Sequence, residues 1–327
     1  MSTMDFAQRR ALLDHFFGLV PFNVALGIVT ESLTESEAIM RLPYAPHLVG
    51  NPDSGTLHGG AITAMMDASC GAAVFMSMDE VVSAATLDLR IDYLRLGEAG
   101  KDIVARARCY KRTRNVAFVS CTAYHPQAPD DLIASVASTF MLGTRSYGGG
   151  EPTDRRPPDL IVADSEQARA AVSKTPAESL GIVDRIRRFR GHGDAAGLVR
   201  AIPYARLLGM EFEADEEGQV LGRMPFAEHL VGNPNLPALH GGTLGSLLES
   251  IAIFQILSES ETLLLPKTIN LTVEYLRSAR PRDTFARCQI TKQGRRVISV
   301  RAEAWQDDPQ KSVALAQAHF LIKPLDS

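Results

Sequence analysis

The chain has 327 residues, of which 45% are hydrophobic and 22% charged, and its formal net charge is −4. This length and apolar content suit two domains of about 150 residues, each with its own core. The weak negative charge argues against nucleic acid or an anionic membrane as the main partner. No apolar run reaches the ~20 residues of a membrane span, and the first residues lack a signal-peptide pattern. The four cysteines form no C-x-x-C pair, so we expect reduced thiols and a cytoplasmic protein.

The first half predicts one α+β domain. Helical periodicity covers 5–19 and ends before Pro21, and two short strand-like runs follow at 26–33 and 37–42. The segment from Gly59 to Met78 contains no proline and is apolar nearly all round, which predicts a helix buried inside the domain. The period then changes to two, and four strand-like runs follow at 82–94, 102–110, 115–124 and 132–142. We therefore expect about six antiparallel strands curled round one central helix.

The central stretch of the first half occurs a second time. HLVGNPDSGTLHGGAITAMMDASCGAAVF, which begins at residue 47, matches HLVGNPNLPALHGGTLGSLLESIAIF, which begins at residue 229, with a constant offset of 182 residues. The strand-like sequence TINLTVEYL at 268–276 matches residues 86–94 at the same offset. The polar residues that correspond are Asn51 with Asn233, His58 with His240, and Asp67 with Glu249. A repeat of this length predicts two copies of one domain.

A polar segment rich in glycine and proline, at 146–159, separates the two copies. We expect a first domain at 1–145, a linker at 146–178 that includes a helix at about 162–174, and a second domain at 179–327. The residues just after the linker, 180–200, carry four arginines (Arg185, Arg187, Arg188 and Arg190). We interpret them as the solvated face of a helix rather than as a phosphate site.

Each copy carries a His-Gly-Gly turn directly before its long apolar segment. In one interpretation this is only a tight turn that begins a helix, with glycine supplying unusual dihedrals and histidine serving as a polar cap. In the other, the exposed N–H groups of Gly59 and Gly241 at the helix N-termini stabilise a developing oxyanion. Both interpretations require the same local backbone.

Asp67 and Glu249 are the acids of the two apolar segments. They are either buried acids satisfied by nearby donors or functional groups, because a carboxylate in an apolar helix is costly unless it is paired or used. Nine residues of helix span about 13 Å, so Asp67 cannot easily act together with His58. If a histidine turn and an acid act on one substrate, the acid must therefore come from the other copy.

These motifs resemble those of the hotdog-fold thioesterases of the phenylacetate-pathway type, which hydrolyse acyl- or aryl-coenzyme A esters. The resemblance rests on an Asn loop, a Leu-His-Gly-Gly turn, an acid nine residues after the histidine, and a strand of the form T-x-(D/N)-L-x-(I/V)-x-Y-L, all present in both copies. It implies tandem hotdog folds that form an intramolecular pseudo-dimer, with active sites at the two-fold interface. It also implies an acyl-CoA substrate, no other cofactor, and a homodimer of the fused chain. No metal is expected, because the histidines lack clustered ligand spacing.

The resemblance implies two mixed sites. The first contains Asn51, His58, Gly59 and Gly60 with Glu249 and Thr268, and the second contains Asn233, His240, Gly241 and Gly242 with Asp67 and Thr86. The acid would act as general base or as nucleophile, the asparagine would position water or the thioester, and the threonine would hydrogen-bond near the acid. Four arginines in late turns are candidates for the coenzyme A phosphates, although turn arginines are more often simply solvated: Arg112, Arg114, Arg295 and Arg296.

Three alternatives remain open at this point. A hotdog dehydratase would use His47, but those enzymes place their acid nearer to the histidine than Asp67 lies to His47. A non-catalytic acyl-CoA-binding or regulatory module would keep the loop and histidine turn that bind the substrate and would lose the acid. A purely structural duplication would leave the buried acids unexplained.

The two sites are not expected to be equal. Aspartate is the acid that the family usually has here, and the extra methylene of Glu249 moves a carboxylate by roughly 1 Å, which can cost about 100-fold in rate. In the opposite direction, Pro237 replaces the turn glycine Gly55 in the loop that serves Asp67, and proline cannot adopt a positive φ. Weighing both, we predict that the Asp67 site is the more active.

Overall fold

The structure is a computed structural model that describes residues 5–80, 82–143, 166–170, 172, 180–233 and 237–323. Most of the linker predicted at 146–178 lies outside the described residues. In the described part, the named helices are α1 (Phe6–Leu19), α2 (Pro21–Leu26), α3 (Gly59–Met76), α4 (Ile182–His192), α5 (Ala195–Ala201), α6 (Pro203–Leu207) and α7 (Gly241–Glu259).

The strands of the first copy are β1 (Val29–Leu33), β2 (Glu37–Leu42), β3 (Val49–Asn51), β4 (Thr56–Leu57), β5 (Ala84–Tyr93), β6 (Ile103–Arg112), β7 (Val116–His125) and β8 (Ala128–Leu142). Those of the second are β9 (Glu211–Ala214), β10 (Val220–Met224), β11 (Val231–Asn233), β12 (Ala238–Leu239), β13 (Lys267–Tyr275), β14 (Thr284–Gln293), β15 (Val297–Trp305) and β16 (Ala314–Leu321). The short pairs β3–β4 and β11–β12 form two-stranded ribbons that precede the histidine turns.

Six strands from each copy form one antiparallel sheet of 12 strands, in the order β1-β2-β6-β7-β8-β5-β13-β16-β15-β14-β10-β9. The copies join where β5 pairs with β13. In that pair Arg90 lies opposite Thr272, its own equivalent at the 182-residue offset, and the neighbouring pairs are symmetric about it. An approximate two-fold axis therefore passes between these two residues. The tandem hotdog fold and its internal pseudo-dimer are confirmed.

The long helices α3 and α7 lie inside the curved sheet and pack against each other at the two-fold axis. Each is long and apolar enough to meet the length and hydropathy of a membrane span, yet 83% of each such window is buried within the fold. Their apolar character is thus explained by the domain cores, as the sequence predicted. All four cysteines are free and buried.

Two local predictions were wrong. Residues 21–26 form helix α2, which Pro21 begins and Gly27 ends with φ 75°, so the first strand begins only at Val29. In the arginine-rich segment, Arg185 is only 5% exposed and donates to the carbonyl of Gly197 at 2.8 Å. It joins α4 to α5, whereas the other three arginines of that segment are exposed.

Candidate active site

Both histidines cap their helices in the same way. His58 Nδ1 accepts a hydrogen bond from the Gly60 N–H at 2.9 Å, and His240 Nδ1 accepts one from Gly242 at 2.9 Å. Burial lowers the pKa of each imidazole to about 4. Each ring is therefore neutral near pH 7, with its proton on Nε2. The histidines act as helix caps whose Nδ1 lone pair is already used.

Each acid lies against the histidine turn of the other copy. Glu249 Oε2 is 3.6 Å from His58 Nδ1, and Asp67 Oδ2 is 3.7 Å from His240 Nδ1. Neither contact is an ion pair, because each Nδ1 is unprotonated and accepts from a glycine N–H. Each acid thus lies beside the histidine of the other copy, in the combination that the resemblance implied.

A threonine from the acid's own copy holds one oxygen of each carboxylate. Thr268 donates to Glu249 Oε1 at 2.5 Å, and Thr86 donates to Asp67 Oδ1 at 3.1 Å. The second oxygen of Glu249 is buried with no hydrogen-bond partner among the described residues. A buried, unpaired carboxylate oxygen is costly in a structural role, which favours a site that binds or reacts with another molecule.

Burial raises the pKa of both acids. The pKa of Asp67 rises to about 6, although the Thr86 hydroxyl and the Gly242 N–H lower it in part. The pKa of Glu249 rises to about 7 for the same reason, with Thr268 and the Gly60 N–H acting in the opposite direction. Such values suit a group that accepts a proton near neutral pH.

Gly59 and Gly241 are the first residues of α3 and α7, and none of the described residues accepts from their N–H groups. Free amides at a helix N-terminus attract negative charge. A Cβ on Gly59 would lie 2.5 Å from Glu249 Oε1, and one on Gly241 would lie 2.9 Å from Asp67 Oδ2. Each acid therefore lies directly beside a glycine whose amide is unpaired, and a side chain at that glycine would clash with the carboxylate.

Gly60 and Gly242 are the second residues of α3 and α7. Their N–H groups hold the histidine rings. A Cβ on Gly242 would lie 2.5 Å from Ala64 Cα, and one on Gly60 would overlap the Ser246 side chain. Their geometry is that of small residues at the crossing of α3 and α7.

The asparagines lie at the ends of β3 and β11. The side-chain oxygen of Asn51 accepts from the Asp53 N–H at 3.0 Å, which forms a turn within the loop. Gly55 in this loop has φ 69°, a conformation that Pro237 cannot adopt at the equivalent position. Asn233 ends β11, and the next three residues, 234–236, lie outside the described residues. The sequence expectation that the two loops differ stays a prediction.

The four turn arginines are exposed, and Arg112 forms an ion pair with Asp79. Phe140 lies opposite both Thr86 and Ala117 in the sheet, so the β6–β7 turn is at the same end of the sheet as the Asp67 site. Phe320 likewise lies opposite both Thr268 and Ile298. The turn that carries Arg295 and Arg296 is therefore at the same end of the sheet as the Glu249 site. The arrangement gives each site its own arginine turn.

Sequence reasoning missed several aromatic and hydroxyl side chains around the histidine turns. Tyr204 packs on His58 with ring centroids 4.9 Å apart, and Phe22, its equivalent, packs on His240 at 5.3 Å. Tyr93 and Tyr275 lie beside Gly59 and Gly241. The repeat contained a signal for them, because aligning the copies shows tyrosine retained at 93 and 275 but exchanged for phenylalanine at 22.

Among the described residues, no group of three or more histidine, cysteine or acidic side chains could hold a metal ion. The groups that meet at each histidine turn are a buried acid, a helix N-terminal amide and nearby hydroxyls. Together these groups can activate water and stabilise an oxyanion.

The family model described as "Thioesterase superfamily" matches this chain twice, at residues 54–129 and 236–313. The medium/long-chain acyl-CoA thioesterase YigI of Salmonella typhimurium is 32% identical over 138 residues, which cover 38% of this chain and 86% of that protein. The protein of the same name from Escherichia coli strain K12 is 29% identical over 137 residues, which cover 38% of this chain and 86% of that protein.

Solved structures of similar fold cover nearly the whole chain. The structure of a putative thioesterase from Novosphingobium aromaticivorans is 12% identical, with a TM-score of 0.56, and covers 90% of this chain and 98% of that one. A protein with a hot dog fold from Alicyclobacillus acidocaldarius is 15% identical, also with a TM-score of 0.56, and covers 93% and 98%. At these identities the likeness concerns the fold alone. With the paired family matches and the YigI relatives, it leads to one conclusion: this chain is an enzyme of the thioesterase superfamily.

Proposed function

We propose that the chain hydrolyses acyl- or aryl-coenzyme A thioesters to the free acid and coenzyme A, at two sites that each combine both domains. The observation that carries this proposal is the approach of each buried acid to an unpaired amide of the other domain, Glu249 to Gly59 and Asp67 to Gly241. A base and an oxyanion donor side by side are what thioester hydrolysis requires.

In the proposed reaction the thioester carbonyl accepts a hydrogen bond from the Gly59 or Gly241 N–H. The deprotonated acid takes a proton from a water molecule, whose oxygen attacks the carbonyl carbon. The carbonyl electron pair moves to the oxygen, and the amide and helix dipole stabilise the oxyanion. The intermediate then collapses, the C–S bond breaks, and the acid returns its proton to the departing thiolate.

A second form of the chemistry uses the same residues. The carboxylate attacks the carbonyl carbon directly, coenzyme A leaves, and water hydrolyses the resulting mixed anhydride. Single-turnover reactions in ¹⁸O-labelled water test for the anhydride. Label in the Asp67 or Glu249 carboxylate after one turnover requires an anhydride opened at the enzyme's carboxyl carbon, because general-base attack labels the product alone.

The remaining residues have supporting roles in this proposal. Thr86 and Thr268 orient the acids, and the side-chain NH₂ of Asn51 and of Asn233 positions the thioester or the water. The arginine turns at Arg112 and Arg114, and at Arg295 and Arg296, contact the phosphates of coenzyme A, for which guanidinium groups are well suited. Coenzyme A enters as part of the substrate, and we propose no separate cofactor, no nucleic-acid or membrane partner, a homodimer of the fused chain, and a cytoplasmic location.

The test is thiol release from a panel of acyl-CoA esters. Because the YigI relatives are named for medium- and long-chain acyl-CoA, we expect the highest kcat/KM on medium or long straight chains, with short and aryl esters as comparison. No metal is added, and a chelator should leave the rate unchanged. Tight binding of acyl-CoA without thiol release on any ester would contradict hydrolysis and indicate a binding module.

A further inference from the structure

The Glu249 site contains a pair of hydroxyl groups that the Asp67 site lacks. The hydroxyls of Thr63 and Tyr93 are 2.5 Å apart, and neither has another hydrogen-bond partner among the described residues. Two hydroxyl groups carry two protons and share one hydrogen bond between them. One O–H of the pair is therefore still available as a donor.

The equivalent tyrosine of the other site has no such free proton. Thr63 corresponds to Gly245, which has no hydroxyl. Tyr275 instead donates to the carbonyl of Gly241 at 3.0 Å. A carbonyl oxygen only accepts, so the proton of Tyr275 is already used.

The position of Tyr93 directs its hydroxyl to the reacting groups. A Cβ on Gly59 would lie 3.0 Å from the Tyr93 hydroxyl oxygen and 3.0 Å from Glu249 Oε2, the carboxylate oxygen that has no partner. The tyrosine hydroxyl, the unpaired carboxylate oxygen and the first residue of α3 thus meet at one place. Burial raises the pKa of Tyr93 well above its usual range, so the group stays protonated and acts as a donor, not as a base.

Building on the proposed thioesterase activity, we propose that Tyr93 donates a hydrogen bond to the reacting thioester in the Glu249 site, beside the Gly59 N–H. Thr63 donates to the Tyr93 oxygen and so leaves the tyrosine proton free for the substrate. The Asp67 site works without this donor. The two sites therefore stabilise the oxyanion with different sets of groups.

The experiment isolates each site before testing its tyrosine. In Asp67→Asn protein only the Glu249 site turns over, and adding Tyr93→Phe should lower kcat by about tenfold to a hundredfold with KM nearly unchanged, since the donor acts on the transition state. The matched control is Tyr275→Phe in Glu249→Gln protein, which should stay within about threefold of its parent. Thr63→Val removes the partner of the Tyr93 hydroxyl but keeps the tyrosine proton, so it should lower kcat less than Tyr93→Phe does.

Several outcomes would overturn the role of Tyr93. These are an unchanged kcat in the Tyr93→Phe protein, equal losses from Tyr93→Phe and Tyr275→Phe, or a loss from Thr63→Val as large as that from Tyr93→Phe, which would indicate a structural pair. No turnover at all in the Asp67→Asn parent would overturn it as well, because the site would then not work. Absence of thiol release from the unsubstituted chain would instead refute the proposed hydrolysis itself.

Discussion

The two sites of this chain share a plan but differ in chemistry. In the Glu249 site the surroundings are rich in hydroxyls: Tyr204 packs on His58 and pairs with Ser246 at 3.0 Å, and Tyr93 pairs with Thr63. In the Asp67 site the residues equivalent to Tyr204, Ser246 and Thr63 are Phe22, Ala64 and Gly245.

We expect the exchange of Tyr204 for Phe22 to be coupled to that of Ser246 for Ala64, since the buried Tyr204 hydroxyl has Ser246 as its hydrogen-bond partner.

The largest effect is expected from substituting the acids of the two sites, and it concerns turnover. Asp67→Asn and Glu249→Gln each remove the base of one site, and the double variant should lose on the order of 1,000-fold or more in kcat. Of the single variants, we expect the greater loss of kcat from Asp67→Asn, because the slower Glu249 site then remains. Thiol-release assays measure kcat of the single and double variants after circular dichroism has confirmed that each is folded. If Glu249→Gln abolishes turnover and Asp67→Asn leaves it near the original rate, the order of the sites is reversed.

At the crossing of α3 and α7, an added methyl group should be tolerated less well at Gly242 than at Gly60. Gly242→Ala places a methyl group against the Ala64 backbone, which cannot move without separating α3 from α7. We expect a loss of about 3 kcal/mol in the free energy of unfolding, within the range for overpacked cores. Gly60→Ala meets the Ser246 side chain instead and should cost less. Urea unfolding measures the free energy of unfolding of the two variants. Equal losses in Gly242→Ala and Gly60→Ala would contradict the predicted difference between the two sides.

A smaller effect tests the coupled exchange of Tyr204 and Ser246 for Phe22 and Ala64. Phe22→Tyr buries a hydroxyl without a partner and should destabilise the chain by about 1–3 kcal/mol. Adding Ala64→Ser supplies the acceptor found in the other site and should recover most of that loss. The measurement is a double-mutant cycle by urea unfolding. A coupling energy near zero would show that the two exchanges are independent.

The two isolated sites should also differ in how their activity depends on pH. A general base works only when deprotonated, so activity is lost as the pH falls through its pKa. We expect kcat/KM to fall with an apparent pKa of about 6 when only Asp67 works, and of about 7 when only Glu249 works. Both histidines stay neutral over this range because burial lowers their pKa to about 4. Coinciding profiles would contradict the assignment of the acids as bases.

The same shifts predict how stability depends on pH. The pKa of Glu249 is raised in the folded chain, so its contribution is fully present below the pKa of the unfolded chain and is lost as the pH rises through about 7. Glu249→Gln should therefore stabilise the chain at pH 8, by about 3 kcal/mol at most, and have little effect at pH 4. Thermal unfolding at the two pH values measures this, and a stabilisation that is equal at both would contradict the burial of a charged acid.

The sequence by itself determined the architecture and the pairing of the sites. The constant offset of 182 residues predicted two copies of one domain. The nine helical residues between histidine and acid meant that an acid acting together with a histidine turn had to come from the other copy. These properties depend on local spacing, which periodicity and helix geometry translate directly into distances. The structure contains both contacts, His58 with Glu249 and His240 with Asp67.

Only the tertiary structure decided which side chains are buried and which group each polar side chain contacts. Arg185 belongs to a charged sequence pattern but is buried, because α5 packs back and offers it the Gly197 carbonyl. Gly60 and Gly242 are helix-crossing residues because α3 and α7 approach closely there. Tyr93 and Tyr275 occupy equivalent positions and differ in their hydrogen bonds because Thr63 faces one and Gly245 the other. Spacing along a chain fixes which residues can meet, but the partner of each polar group is selected by packing between elements distant in sequence.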